Sequence, residues 1–177
     1  MRERIWTASN ALSVVRVLLI LPAGYCLTAE FPYHRLWAAG IIAVAILTDF
    51  LDGYFARKLH QVSELGKVID PLADKIAVGV VTVILVWVGD IPFWFLTVVV
   101  ARDALIVLGG LFIRKKKKII VQSNWPGKIA VTAVAVYLML SALRMDSLES
   151  FRQLTLWFSV VLMVLSLALY ARRLFIG

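Results

Sequence analysis

The 177-residue sequence holds one cysteine and two histidines. A lone thiol, Cys26, excludes an internal disulfide and any cysteine-rich metal centre. It sits in an apolar run and reads as a small packing residue. Neither His34 nor His60 stands at a spacing that builds a zinc site. Acidic residues are also few: 11 against 19 Lys and Arg, a net charge of +8. In a soluble chain that balance would point to nucleic acid. Here it reads as cytoplasmic loops rich in Lys and Arg, and no nucleic-acid partner is expected.

Apolar residues are abundant. They make up 62% of the chain, and the mean hydropathy is +0.89, whereas soluble domains carry roughly 45–50%. A soluble domain of this length has too little interior to hide that surface. A soluble enzyme, a disordered tail and a fibrous repeat are therefore excluded. Six apolar stretches, near 11–29, 36–56, 67–88, 92–113, 125–143 and 153–174, are long enough to cross a bilayer, which takes about 20 helical residues. The breaks between them carry Glu30-Phe31-Pro32, Gly89-Asp90-Ile91-Pro92 and Asn124-Trp125-Pro126-Gly127. The expected fold is all-α: one polytopic membrane domain over 1–177 with six transmembrane helices. Residues 1–9 form a short interfacial segment, and no signal peptide is expected.

Orientation follows from where Lys and Arg fall. With the N-terminus inside, Arg2, Arg4, Arg57, Lys58, Lys67, Arg114, Lys115, Lys116, Lys117, Lys118, Arg172 and Arg173 are cytoplasmic. Only Arg35, Arg144 and Arg152 are outside, and Arg16, Lys75, Arg102 and Lys128 lie within spans. Both termini and the turn at 57–66 are thus expected in the cytoplasm. The run 114–118 reads as an anchor for anionic lipid headgroups. The six Trp lie mostly near span ends, as in an interfacial belt.

Five acidic residues lie inside expected spans: Asp49, Asp52, Asp70, Asp74 and Asp103. Each is costly in lipid if unpaired. Asp49 and Asp52 are spaced i,i+3 before a cytoplasmic turn; Asp70 and Asp74 are spaced i,i+4 after it. Both spacings put the pair on one helical face. A helical hairpin would bring the four together, where they repel one another and call for cations. Two divalent ions answer that need, and oxygen-only donors suit Mg²⁺, Mn²⁺ or Ca²⁺. The plainer reading pairs them with Arg57, Lys67 and Lys75. Gly53, Ala56 and Gly66 leave room for a ligand beside the backbone. Arg57 offers a fork suited to phosphate. Together these residues suggest a nucleotide diphosphate bound through metal.

The stretch Asp49 to Asp74 reads D-x2-D-G-x2-A-R-x8-G-x3-D-x3-D. It resembles the signature of the CDP-alcohol phosphotransferases, an integral membrane family with a six-helix core, at all eight fixed positions. The resemblance implies transfer of the phosphatidyl group of CDP-diacylglycerol to an alcohol, with release of CMP. It implies Asp49, Asp52 and Asp70 as ligands of two Mg²⁺ or Mn²⁺ ions, and Asp74 as partial ligand and general base. It places Asp52, Gly53, Ala56, Arg57 and Gly66 at the CDP site. Ser9-Asn10-Ala-Leu-Ser13-Val-Val-Arg16 is similar to the family's P-N-x-L-T-x-x-R stretch, with Ser9 for Pro and Ser13 for Thr. It implies Asn10 and Arg16 as donors to the nucleotide. The alternatives are a helix N-cap for Asn10, and snorkelling or pairing with Asp103 for Arg16.

Glycerol 3-phosphate is the first acceptor to consider, with Arg102, Arg114 and Lys128 as candidates for its phosphate. Pairing of Arg102 with Asp103 is the rival reading. Phosphatidylglycerophosphate synthases often have Arg-Glu here and a second Arg eight residues on; this chain has Arg102-Asp103 and Gly110. Arg-Asp is similar to eukaryotic-type cardiolipin synthases, whose acceptor is phosphatidylglycerol. Inositol phosphate and serine are further alternatives. The resemblance also implies a homodimer in the cytoplasmic membrane, its active site facing the cytoplasm. From another class, a small cation transporter would also need intramembrane aspartates, but not the small residues and arginine around them.

Overall fold

A computed structural model describes the backbone of residues 8–59, 66–117 and 125–175, and side chains within 14–48, 73–109 and 125–172. The described residues form α-helices and no strand, as the composition predicts: α1 (Ala8–Thr28), α2 (His34–Leu59), α3 (Gly66–Trp87), α4 (Phe93–Lys117), α5 (Trp125–Leu143) and α6 (Glu149–Phe175). A 3₁₀ turn, Asp146–Leu148, precedes α6. The expected interfacial segment 1–9 lies outside the described residues except Ala8 and Ser9, which begin α1.

The chain divides into two compact units, Met1–Asp90 with Ala142–Arg144, and Ile91–Ser141 with Met145–Gly177. In the first, α1 packs against both α2 and α3. Small residues form much of the contact: Ala23, Ala38, Ala39 and Ala73 are buried. Such side chains let helices approach closely where lipid removes the hydrophobic drive between them. A Cβ on Gly24 would come within 2.9 Å of Ile84 Cδ1, so α1 and α3 nearly touch there. Further toward the N-termini of the same helices, Arg16 forms an ion pair with Asp74. Both contacts ascend together in the two helices, so α1 and α3 run parallel, and α1 is the helix against which both α2 and α3 pack.

The helix ends follow from local chemistry. α3 closes in a Schellman arrangement: Gly89 is left-handed at φ 82°, Asp90 N–H bonds Leu85 C=O at 2.9 Å and Gly89 N–H bonds Val86 C=O at 3.0 Å. Pro92 then bars continuation. α1 ends where Thr28 Oγ1 turns back to Gly24 C=O at 3.0 Å.

The turn ends of this unit meet at Asp90. Its carboxylate is 1% exposed and is held by Arg35 at Oδ2 and by Arg144 at Oδ1, the latter at 3.0 Å. The left-handed residues Tyr33, Gly89 and Arg144 all lie within two positions of this cluster. His34 adds a 2.8 Å contact from Nδ1 to Cys26 C=O, tying the start of α2 to α1.

In the second unit Phe95 and Tyr137, both fully buried, meet edge-on at 4.7 Å between α4 and α5. Trp94 stacks on Trp157 at 5.9 Å between α4 and α6. One face of α6 is buried through Thr155, Ser159, Met163, Ser166 and Tyr170, and the opposite face exposes Leu154, Trp157, Phe158, Val161, Val164 and Leu165. A continuous apolar face of that size seeks lipid or a partner rather than water. Among the described residues two stretches, Trp125–Leu143 and Asp146–Arg172, are long and apolar enough to cross a membrane. Trp37, Trp87, Trp94, Trp125 and Trp157 are all exposed, and most lie at or near helix ends.

Candidate active site

α2 runs unbroken through Asp49 and Asp52, and α3 through Asp70 and Asp74. The i,i+3 and i,i+4 spacings are therefore helical, and each pair shares one face of its helix. The side chains of Asp49, Asp52, Gly53, Ala56, Arg57, Gly66 and Asp70 lie outside the described residues. So does the whole turn 60–65, with His60. Among the described residues no group of three His, Cys, Asp or Glu is gathered as for a metal.

Asp74 is described. It stands one turn beyond Asp70 on α3, and its Oδ1 accepts from Arg16 Nη1. The Arg16 side chain is 4% exposed and that of Asp74 is 39% exposed. Arg16 thus has Asp74 as a partner, which it meets because α1 packs on α3. Asp103 accepts from Arg102 Nη1 at 2.6 Å within α4. Snorkelling is excluded, since the guanidinium is buried among protein atoms.

Asn10 is the third residue of α1, inside the helix rather than ahead of it, so it is not an N-cap. Its side chain is outside the described residues.

The acceptor candidates lie in the second unit. Arg102 has its Nη1 on Asp103, and its buried Nε meets no acceptor. Lys128 is exposed and lies over the Trp125 ring, 5.8 Å from its centroid, as a cation–π pair. Arg114 belongs to α4, with its side chain outside the described residues.

Sequence reading missed two relationships. Asp90 was visible only as part of a helix break, yet it is the most enclosed described carboxylate. Its flanking Gly89 and Pro92 marked the turn but not its partners. The Arg16–Asp74 pair left only a weak trace, the two residues standing within a turn of the same depth in the expected spans 11–29 and 67–88.

A family model described as CDP-alcohol phosphatidyltransferase matches residues 6–165. The chain is 41% identical over 108 residues to a CDP-diacylglycerol–glycerol-3-phosphate 3-phosphatidyltransferase of Mycoplasma pneumoniae, covering 60% of this chain and 47% of that one. It is 35% identical over 143 residues to the enzyme of the same name from Bacillus subtilis, covering 77% and 72%. Human cardiolipin synthase (CMP-forming) is 37% identical over 113 residues, covering 63% and 36%. The match thus spans about half the length of the Mycoplasma relative and about a third of the human one.

Proposed function

Since the chain belongs to the CDP-alcohol phosphatidyltransferase family, we propose that it transfers the phosphatidyl group of CDP-diacylglycerol to an alcohol, with glycerol 3-phosphate as first acceptor. The observation that carries this reading is the eight-position signature riding on two unbroken helices, α2 and α3. The names of the Mycoplasma and Bacillus relatives support the acceptor.

In the proposed reaction the acceptor hydroxyl oxygen bonds to the phosphorus on the diacylglycerol side. The bond from that phosphorus to the bridging oxygen breaks, and CMP leaves with the electron pair. Asp74 takes the hydroxyl proton, a role suited to a carboxylate that stays partly open. Asp49, Asp52 and Asp70, with Asp74 in part, form an oxygen-only donor set that fits hard divalent cations such as Mg²⁺ or Mn²⁺. When bound, two such ions supply charge neutralisation at the pyrophosphate and at the departing CMP. Asn10, Gly53, Ala56, Arg57 and Gly66 are proposed to line the CDP site, and Arg102, Arg114 and Lys128 to offer cations to the acceptor phosphate.

We read the chain as one membrane domain of six spans, a homodimer in the cytoplasmic membrane with its termini and active site toward the cytoplasm. The charge count supports this orientation, and so does the pairing of the three exterior arginines. Arg35 and Arg144 bind Asp90, and Arg152 binds Glu149 at 2.7 Å. Exterior positive charge is thereby offset, while the cytoplasmic run 114–118 is a block of five cations.

Phosphatidylglycerol, giving cardiolipin, is the second reading. It is favoured by Arg102-Asp103 and by the human relative. The test is CMP release from CDP-diacylglycerol by purified protein with Mg²⁺, over glycerol 3-phosphate, phosphatidylglycerol, inositol phosphate and serine. Release with glycerol 3-phosphate alone supports the first reading, and release with phosphatidylglycerol alone replaces it by the second. No release with any of the four overturns both.

A further inference from the structure

An arginine inside a helix bundle is expensive and persists where it has a partner and a task. Arg16 and Asp90 show two ways of satisfying an ion pair in this fold. At Asp90 the anion is enclosed, 1% exposed, and its cations Arg35 and Arg144 lie outward of it. That is the arrangement of a structural clasp. At Asp74 the order is reversed: the cation is enclosed and the carboxylate is open. An enclosed guanidinium behind an open carboxylate instead fixes one oxygen and presents the other.

We propose that Arg16 is the positioning residue of Asp74. It holds Oδ1, so that Oδ2 is the oxygen offered to the acceptor hydroxyl. The inference rests on the proposed role of Asp74 as base, and it assigns Arg16 to Asp74 rather than to the nucleotide. Two further features support it. Arg16 is almost wholly enclosed while its partner Asp74 is open, so the pair faces outward through the carboxylate. The backbones that carry the pair are also held at fixed separation, by the close approach of Gly24 to Ile84 and by the buried Ala73 beside Asp74. The carboxylate is then fixed by rigid packing on both sides, as accurate placement of a reacting group requires.

The experiment compares wild type, Arg16→Gln, Arg16→Lys, Asp74→Asn and the Arg16→Gln/Asp74→Asn double variant as full chains in vesicles. It measures kcat, KM for CDP-diacylglycerol, and donor binding by calorimetry with Mg²⁺. Misplacing a reacting group by about 1 Å costs on the order of 10²-fold in rate. Arg16→Gln is therefore expected to lower kcat by about that factor with donor KM and binding little changed, and Arg16→Lys to recover part of it. The double variant is expected to be no slower than Asp74→Asn alone. Should Arg16→Gln fail to fold, Arg16→Lys carries the same split between kcat and KM. Weakened donor binding with kcat preserved would make Arg16 a nucleotide ligand and overturn the inference. Multiplying losses in the double variant would overturn it as well. Full turnover in Asp74→Asn would instead refute the base role itself, and an inactive wild type would refute the proposed function.

Discussion

Arg16 and Asp74 each stand ninth in their helices, α1 from Ala8 and α3 from Gly66, and they meet in an ion pair at the same level of two parallel helices. At about 1.5 Å per residue, that level is roughly 12 Å from either helix start. Asp90 closes the opposite end of α3, about 20 Å away along the axis. The first unit therefore has an open carboxylate toward one end and a sealed one at the other. The sealed end gathers the α1–α2 and α3–α4 turns with residues 142–144. The α2–α3 end, where the signature residues stand, is the end proposed for the reaction.

Asp90→Ala should destabilise the protein strongly and leave the chemistry alone. Removing the anion strands Arg35, which is mostly enclosed. Breaking a buried pair by deleting one partner typically costs about 3–5 kcal/mol. Thermal unfolding in detergent should show that loss, while CMP release per folded molecule stays within about twofold of wild type because the proposed site is at the other end. A normal melting point for Asp90→Ala would remove the clasp from the account.

Arg144 carries a cost of its own. It is left-handed at φ 48°, the position after a helix where glycine is usual. A non-glycine residue there loses about 1–2 kcal/mol. Its guanidinium is 64% exposed, so its bond to Asp90 is screened and returns only about 0–1 kcal/mol. Arg144→Gly should thus melt at or above wild type, and Arg144→Ala below it. If glycine and alanine melt alike, the backbone strain is not what sets stability there.

The fold was legible because six apolar runs were separated by breaks that chemistry enforces, as at Gly89 and Pro92. Helix ends were less so. α4 runs on to Lys117, since Lys and Arg favour helix as well as marking its expected exit from the apolar run. α6 begins at Glu149, because Glu149 binds both Arg152 and Gln153 one turn on. In the site, the two helical faces were readable from spacing alone. The partner of Arg16 was not, because a sequence period gives the face of a helix but not which neighbour that face meets.

Topology is open to direct labelling. In a Cys26→Ala background, Glu30→Cys and Asp146→Cys should react with an impermeant thiol reagent added from outside intact cells, since both positions are exposed on the proposed exterior turns. Lys116→Cys should react only after permeabilisation. Labelling of Lys116→Cys from outside would invert the orientation and put the proposed site on the wrong face for a cytoplasmic nucleotide.

The four signature aspartates should separate into two classes on a metal titration. Chelation should abolish CMP release, because the four carboxylates proposed as ligands on α2 and α3 carry negative charge that divalent cations would offset. Asp49→Asn, Asp52→Asn and Asp70→Asn each remove a proposed ligand, so each should shift the Mg²⁺ or Mn²⁺ requirement to higher concentration and regain turnover as metal is added. Asp74→Asn should behave otherwise. The amide keeps the shape and a contact for Arg16 but takes no proton at neutral pH, and loss of a general base typically costs about 10²–10⁴ in rate. That loss should persist at saturating metal while CDP-diacylglycerol still binds. If high Mg²⁺ restores Asp74→Asn to wild-type turnover, Asp74 is a ligand only. The proton then leaves by another route, and the guanidinium behind Asp74 would be orienting a metal ligand instead of a base.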